Sequence, residues 1–187
     1  MKIYFDTEFT GLTKNTTLIS IGLVDETGKS FYGELTSFNR SMCDDWIRKN
    51  VLANLTYGRS LKDKMLEHQV YGSKALVGEV LKEWLSKYDE IQFVSDVSHY
   101  DFVLLIDLLT NGGSAFDLPS NINPSCHDIN QDIATHYKIS EKEAFDKSRE
   151  DIVQELCSAD IDGVKHNALY DARVIKAIYE NLSLREG

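Results

Sequence analysis

Proline is nearly absent from this chain. Its two prolines, Pro119 and Pro124, fall in one loop-like stretch. No repeat, low-complexity segment or glycine-rich linker divides the 187 residues, so 1–187 reads as one unit long enough to bury a core. Cysteine is scarce as well: Cys43, Cys126 and Cys157 are odd in number and widely spaced. That excludes a disulfide framework and a paired-cysteine metal site, and suggests inert thiols in a reducing cytoplasm. Long apolar runs are missing. The longest, "FVLLI" at 102–106, is far too short to span a bilayer. The opening "MKIYFDTEFTGL" soon turns acidic, unlike a secretory signal, so the expected location is the cytoplasm. Positive charge is in deficit, with 20 Lys and Arg against 30 Asp and Glu, a net charge of −10. This argues against coating nucleic acid by bulk electrostatics. It leaves room for an enzyme that gathers carboxylates around metal and meets a polyanion through one local site.

What is present has the marks of an α/β protein. "KIYFDTEF" crowds β-branched and aromatic residues into a buried first strand. "TLISIGLVDETGKSFYGEL" reads as a hairpin with strands near 17–25 and 30–35 and a turn at Glu26-Thr27-Gly28. "DDWIRKNVLANL" and "SKALVGEVLKEWLSKY" have helical periodicity, "IQFVS" at 91–95 is a short strand, and "DFVLLIDLLTNGG" is a buried helix. After the proline loop come three helical segments: "HDINQDIATHY", "SEKEAFDKSREDIVQELC" and a last helix from 168 capped by Asn167. Antiparallel strands followed by alternating strands and helices predict a mixed sheet with helices on both sides. In such sheets, sites collect at strand ends and helix starts.

Acidic residues fall at those places. In "FDTEFTGL", Asp6 and Glu8 stand two apart on a strand, hence on one face, where like charges repel unless a cation lies between them. A solvated strand end is the alternative. In "SDVSHYDFVLL", Asp101 opens the buried helix; an acid stabilised by the helix dipole is equally ordinary there. Asp96 reads as a loop acid. In "KHNALYDA", Asp171 lies in the first turn of the last helix, with His166 in the loop before it. Each is unremarkable alone. Together, four carboxylates suit hard divalent cations in phosphoryl transfer, and a histidine near neutral pKa can take a proton from water.

"DTEFTGL", the Asp101 segment and "HNALYDA" resemble, in order, the three exonuclease motifs of the DEDD superfamily, whose members have an RNase H-like fold. Four residues between His166 and Asp171 match its histidine subgroup; Asn167 stands where the tyrosine subgroup has Tyr. The chain looks most like small bacterial and phage 3′-to-5′ exoribonucleases, and more distantly like RNase T and oligoribonuclease. The resemblance implies an RNase H-like mixed sheet flanked by helices. It also implies that Asp6, Glu8, Asp101 and Asp171 hold two Mg²⁺ or Mn²⁺ ions, with His166 as general base. Thr10 and Leu12 take the positions that contact the terminal nucleotide, Leu12 by wedging against its base. A core leucine after a turn is the other reading of Leu12. One departure stands out: family members commonly have His-Asn ahead of the motif-two Asp, and this chain has Asp96-Val97.

The expected activity is hydrolysis of single-stranded nucleic acid from its 3′ end, RNA before DNA, releasing nucleoside 5′-monophosphates. A homodimer is carried over from the superfamily. A DNA-trimming enzyme, a silent binding module of the same fold and a hydrolase of free nucleotides are the rival readings. Lys14, Lys165 and Arg173 flank the motifs and read as solvated surface charges.

Overall fold

A computed structural model describes residues 1–157 and 161–183. Three antiparallel strands, β1 (Lys2–Phe9), β2 (Leu18–Asp25) and β3 (Ser30–Leu35), form its centre. The tight β2–β3 turn is closed by buried Asp25, whose Oδ1 accepts from the backbone of Thr27 and Lys29 at 2.8 and 2.9 Å. β4 (Leu66–Gly72) lies parallel to β3, while β5 (Ile91–Ser95) and β6 (Ile122–Asp128) extend the other side parallel to β1. The order across the sheet is β4-β3-β2-β1-β5-β6. The mixed α/β architecture is the one the sequence predicts.

Helices cover both faces. α2 (Lys74–Leu85) and α3 (Ser98–Thr110) bury Val77, Leu81, Trp84, Leu105 and Leu108 against Ile3, Phe5, Phe31 and Phe93. On the opposite face, α4 (Ile129–Tyr137), α6 (Arg149–Leu156) and α7 (Ala168–Ser183) enclose Tyr4 and Val94 with Ile133, Ile152 and Ile175. Side chains alternate along β1, so Ile3 and Phe5 belong to one core and Tyr4 to the other. Continuing that alternation puts Asp6 and Glu8 on the α7 side and Thr7 on the α3 side.

Four features differ from the sequence expectation. The sequence reading assigns no strand to β4 or β6. Both are edge strands, half-solvated and polar, so their hydrophobic pattern is weak; Pro124 is tolerated inside β6 because an edge strand has a side with no ladder to break. The first helical segment shortens to α1 (Asp45–Asn50) followed by a 3₁₀ turn at Leu52–Asn54. α3 begins at Ser98 rather than at Asp101, which puts Asp101 inside its first turn. The charged segment at 140–157 is two helices, α5 (Glu141–Asp146) and α6, because Ser148 starts a new helix by accepting from the Asp151 amide at 3.2 Å.

One glycine decides how closely α7 approaches the sheet. Gly22 of β2 pairs with Asp6 of β1, and a Cβ built on it would lie 2.3 Å from backbone atoms of Ala168 and Leu169. The backbone of the first turn of α7 therefore rests directly on β2, beside Asp6. Any side chain there pushes the helix, and Asp171 with it, away from β1. Gly22→Ala is expected to cost at least about 1–3 kcal/mol of stability by overpacking, measured by urea unfolding. An unchanged midpoint would mean that α7 retreats from the sheet freely.

Candidate active site

A cleft of about 480 Å³ opens where β1 and β5 end. Asp6 and Glu8 project from β1, Asp101 from the start of α3, and Asp171 from the start of α7. His166, Leu12, Trp46, Asp96 and Arg149 complete the working part of its lining. The structure thus brings six of the seven residues singled out in the sequence to one cleft. Thr10 is the exception. Its side chain is 3% exposed, and its hydroxyl accepts from the Thr17 amide at 2.9 Å. Thr10 shapes the loop after β1 rather than facing the cleft. Leu12, on that loop, is 67% exposed, which rules out the core reading.

Each acid is held differently. Asp101 is fully buried; Thr7 Oγ1 donates to its Oδ1 at 2.6 Å, and Ser95 Oγ donates to its Oδ2. Glu8 is only 9% exposed, yet among the described residues it has neither an ion pair nor a side-chain hydrogen bond. Asp171 follows the N-cap of α7: Asn167 Oδ1 accepts from the Leu169 and Tyr170 amides at 3.2 and 3.4 Å. The same Asn167 donates through Nδ2 to Tyr32 Oη and the Asn54 carbonyl, at 3.2 and 3.3 Å. Asn54 in turn donates to the Lys165 carbonyl at 2.8 Å. The turn bearing His166 is therefore tied to β3 and to the 3₁₀ turn.

His166 sits at φ 61°, a left-handed conformation uncommon for a residue with a Cβ. Its ring meets the edge of Trp46, with centroids 4.9 Å apart at 73°. Burial and the neighbouring Lys165 charge both hold its pKa below the ordinary histidine value, so the imidazole is neutral at pH 7.

The carboxylates move the other way. Burial first, then the charges of Asp101 and Asp171, push Asp6 well above the usual carboxylate range. Glu8 is raised by burial and by Asp171. Burial and Asp96 push Asp171 up to about 8. Asp101 rises to about 7 for the same two reasons, against the pull of its hydroxyl partners. A buried carboxylate that lacks partners and repels its neighbours is what a cation relieves.

The donor set fits hard cations. One group, Glu8, His166 and Asp171, and another, Asp6, Asp96 and Asp101, each offer ligand atoms within 4.8 Å of one another. Carboxylate oxygens with one imidazole suit Mg²⁺ or Mn²⁺. The sequence reading takes Asp96 as a loop acid only and does not single out Arg149 or Trp46. Asp96 had one available signal: it directly follows the apolar strand β5, much as Asp6 ends the apolar part of β1.

Comparison with known proteins follows the same line. A family described as "3'-5' exoribonuclease Rv2179c-like domain" matches residues 1–183. Two relatives from Mycobacterium tuberculosis, "3'-5' exoribonuclease MT2234.1" (strain CDC 1551 / Oshkosh) and "3'-5' exoribonuclease Rv2179c" (strain ATCC 25618 / H37Rv), are each 32% identical over 110 residues, 58% of this chain. Those residues make up 61% of each relative, so the chain spans less than two thirds of the curated relatives it matches. The fold resembles that of a 3′-exonuclease solved for its 3′-end-specific recognition of a histone mRNA stem-loop, with TM-score 0.60 and 15% identity over 100% of this chain and 64% of that one. A full-length 3′-exonuclease structure matches with TM-score 0.59 and 15% identity, over 100% and 82% of the two chains.

The raised carboxylates fix a sign for stability. Asp101 and Asp171 bind protons in the folded state up to about pH 7 and 8 but release them near pH 4 when unfolded. Between those limits the folded state binds more protons, so stability falls as pH rises. In EDTA, the melting temperature is expected to drop between pH 5 and about 8, and Mn²⁺ or Mg²⁺ to raise it most at the upper end. A melting temperature flat with pH and indifferent to cation would contradict the crowding of ionised acids. Differential scanning fluorimetry across the pH series reads both.

Proposed function

The chain belongs to the Rv2179c-like 3′-5′ exoribonuclease domain family, and on that premise we propose that it removes nucleotides from the 3′ end of single-stranded RNA, releasing nucleoside 5′-monophosphates. The observation that carries the reading is the meeting of Asp6, Glu8, Asp101, Asp171 and His166 in one cleft, with an exposed Leu12 on its rim. Both relatives are exoribonucleases by name, which supports RNA over DNA.

Asp6, Glu8, Asp101 and Asp171 would hold two divalent cations, Mg²⁺ or Mn²⁺. Bound there, such ions lower the pKa of water and offset charge on the reacting phosphate. His166 supplies what the carboxylates cannot, a neutral base at pH 7 to accept the proton of the attacking water. Trp46 packs against the imidazole and limits the directions in which its nitrogens point. In the reaction, the water oxygen bonds to phosphorus and the bond from phosphorus to the 3′ oxygen breaks. The phosphate stays on the released nucleotide as a 5′-monophosphate, and the shortened strand keeps a 3′-hydroxyl after protonation.

Leu12 gives end recognition without sequence choice. An apolar edge packs against the face of any base, and stacking of this kind tolerates all four. Lys165, expected to be a solvated charge, pairs with Glu150 at 2.8 Å on the cleft wall.

Single-stranded RNA and DNA of matched sequence, labelled at the 5′ end, test the proposal with Mn²⁺ or Mg²⁺. The expected result is a ladder shortening from the 3′ end, faster on RNA, and absent with EDTA or the Asp6→Ala variant. His166→Ala should lower the rate about 10²- to 10⁴-fold, the usual contribution of a general base. If wild type leaves both strands intact with either metal, the exonuclease reading fails.

A further inference from the structure

We propose that Asp96 is a fifth carboxylate of the cation site, holding the ion on the Asp6–Asp101 side, and that Arg149 is the positioning residue that aims it. The inference rests on the metal-site reading above and adds to it a residue outside the motif set.

Strand register supplies the first argument. β1 and β5 run parallel with Tyr4 opposite Val94. Two residues past that pair, Asp6 is still in β1, and Asp96 stands in the bend directly after β5. Neighbouring strands lie about 4.8 Å apart, so the end of β5 delivers Asp96 close to Asp6. Asp6, Asp96 and Asp101 offer oxygens within 4.8 Å of one another.

A second argument comes from what holds Asp96. Arg149 Nε donates to its Oδ2 at 2.9 Å, and the two side chains are only 13% and 16% exposed. Arg149 Nη1 donates to the carbonyls of Ala144 and Lys147, both at 3.0 Å, and Nη2 to Asn130 Oδ1 at 2.6 Å. Asn130 Nδ2 donates to the Asp96 carbonyl at 2.7 Å. So main chain and side chain of Asp96 are both fixed. Its Oδ1 accepts no hydrogen bond among the described residues. One oxygen is braced by a guanidinium while the other is left for a ligand, the arrangement in which an outer partner orients an inner one.

A third argument is independent of Asp96. Glu8, nine-tenths buried in the same cleft, lacks an ion pair or side-chain hydrogen bond among the described residues. Asp101, by contrast, has both oxygens occupied by Thr7 and Ser95. The cleft thus holds one buried acid without a protein partner and another whose oxygens are shared with two hydroxyls. Asp96 adds to this set a carboxylate oxygen that accepts no hydrogen bond among the described residues.

Isothermal titration of the whole chain with Mn²⁺ alone, without nucleic acid, tests this. Asp96→Asn removes the charge but keeps an oxygen that accepts from Arg149, so the brace survives. Mn²⁺ affinity is expected to fall about tenfold or more, with the metal-free melting temperature unchanged or higher. Asp96→Ser, which removes the carboxylate altogether, should weaken binding at least as much. Asp6→Asn serves as the reference and should abolish binding at the shared site. Affinity within twofold of wild type in both Asp96 variants would overturn the proposal and leave the residue as a strut for α6. If Asp6→Asn also binds Mn²⁺ like wild type, the failure lies with the metal-site reading itself.

Discussion

Repulsion among ionised carboxylates is the constraint around which this protein is organised. Asp6, Glu8, Asp96, Asp101 and Asp171 converge on one cleft, and burial removes much of the water that would screen them. Left to itself, such a group would spread apart or take up protons, and the pKa shifts record the second response. The chain accepts this strain because the rest of the fold prevents the first. Two apolar layers, one under α2 and α3 and one under α4, α6 and α7, clamp the strands and helices whose ends carry the acids. The stability lost at the cleft is offset in the cores, the usual relation between a site and its scaffold.

The clamps are specific. Parallel pairing of β1 with β5 brings the bend after β5, and Asp96 in it, to Asp6, and alternation along β1 turns Thr7 toward Asp101 while Asp6 and Glu8 face α7. A glycine at position 22 lets the backbone of α7 touch the sheet, bringing Asp171 within reach. The turn before α7 is fixed by a chain of amides and a phenol, from Asn54 through Asn167 to Tyr32. Tyr32 continues to buried Glu34, whose oxygens also accept from the Thr56 and Tyr57 amides. His166 can adopt its unusual left-handed backbone because this network determines the turn on both sides.

The site was legible in the sequence wherever its signal was local. Asp6 and Glu8 share a strand face, and His166 and Asp171 flank a capped helix start, so short-range periodicity and capping sufficed to place them. Asp101 could be placed at a helix start even though α3 begins three residues earlier than read. Where partners are distant in sequence, the signal disappears. Arg149 reaches Asp96 across 53 residues, and only the unexpected break between α5 and α6 turns it into the cleft. Trp46 meets His166 from a helix that periodicity made too long. Asp96 does lie in the bend between β5 and α3, as a loop acid would; its burial and its guanidinium partner are what one segment cannot show. β4 and β6 were missed for a different reason: edge strands bury too little apolar surface to leave a pattern.

The acidity that argued against nucleic acid becomes intelligible at the cleft. Its lining holds seven acids, Asp6, Glu8, Asp44, Asp96, Asp101, Glu150 and Asp171, against two permanent cations, Arg149 and Lys165. Both cations are already committed, to Asp96 and to Glu150. A phosphodiester entering the bare cleft meets a field of its own sign. Two divalent cations would cancel most of that field and present positive charge where the phosphate must lie. Affinity for the strand would then depend on the cations, and by reciprocity the strand would tighten their hold. A basic surface would attract nucleic acid along its whole length, whereas this arrangement confines attraction to one loaded pocket. For the proposed exonuclease, which would find an end rather than coat a chain, a net charge of −10 is compatible with the task.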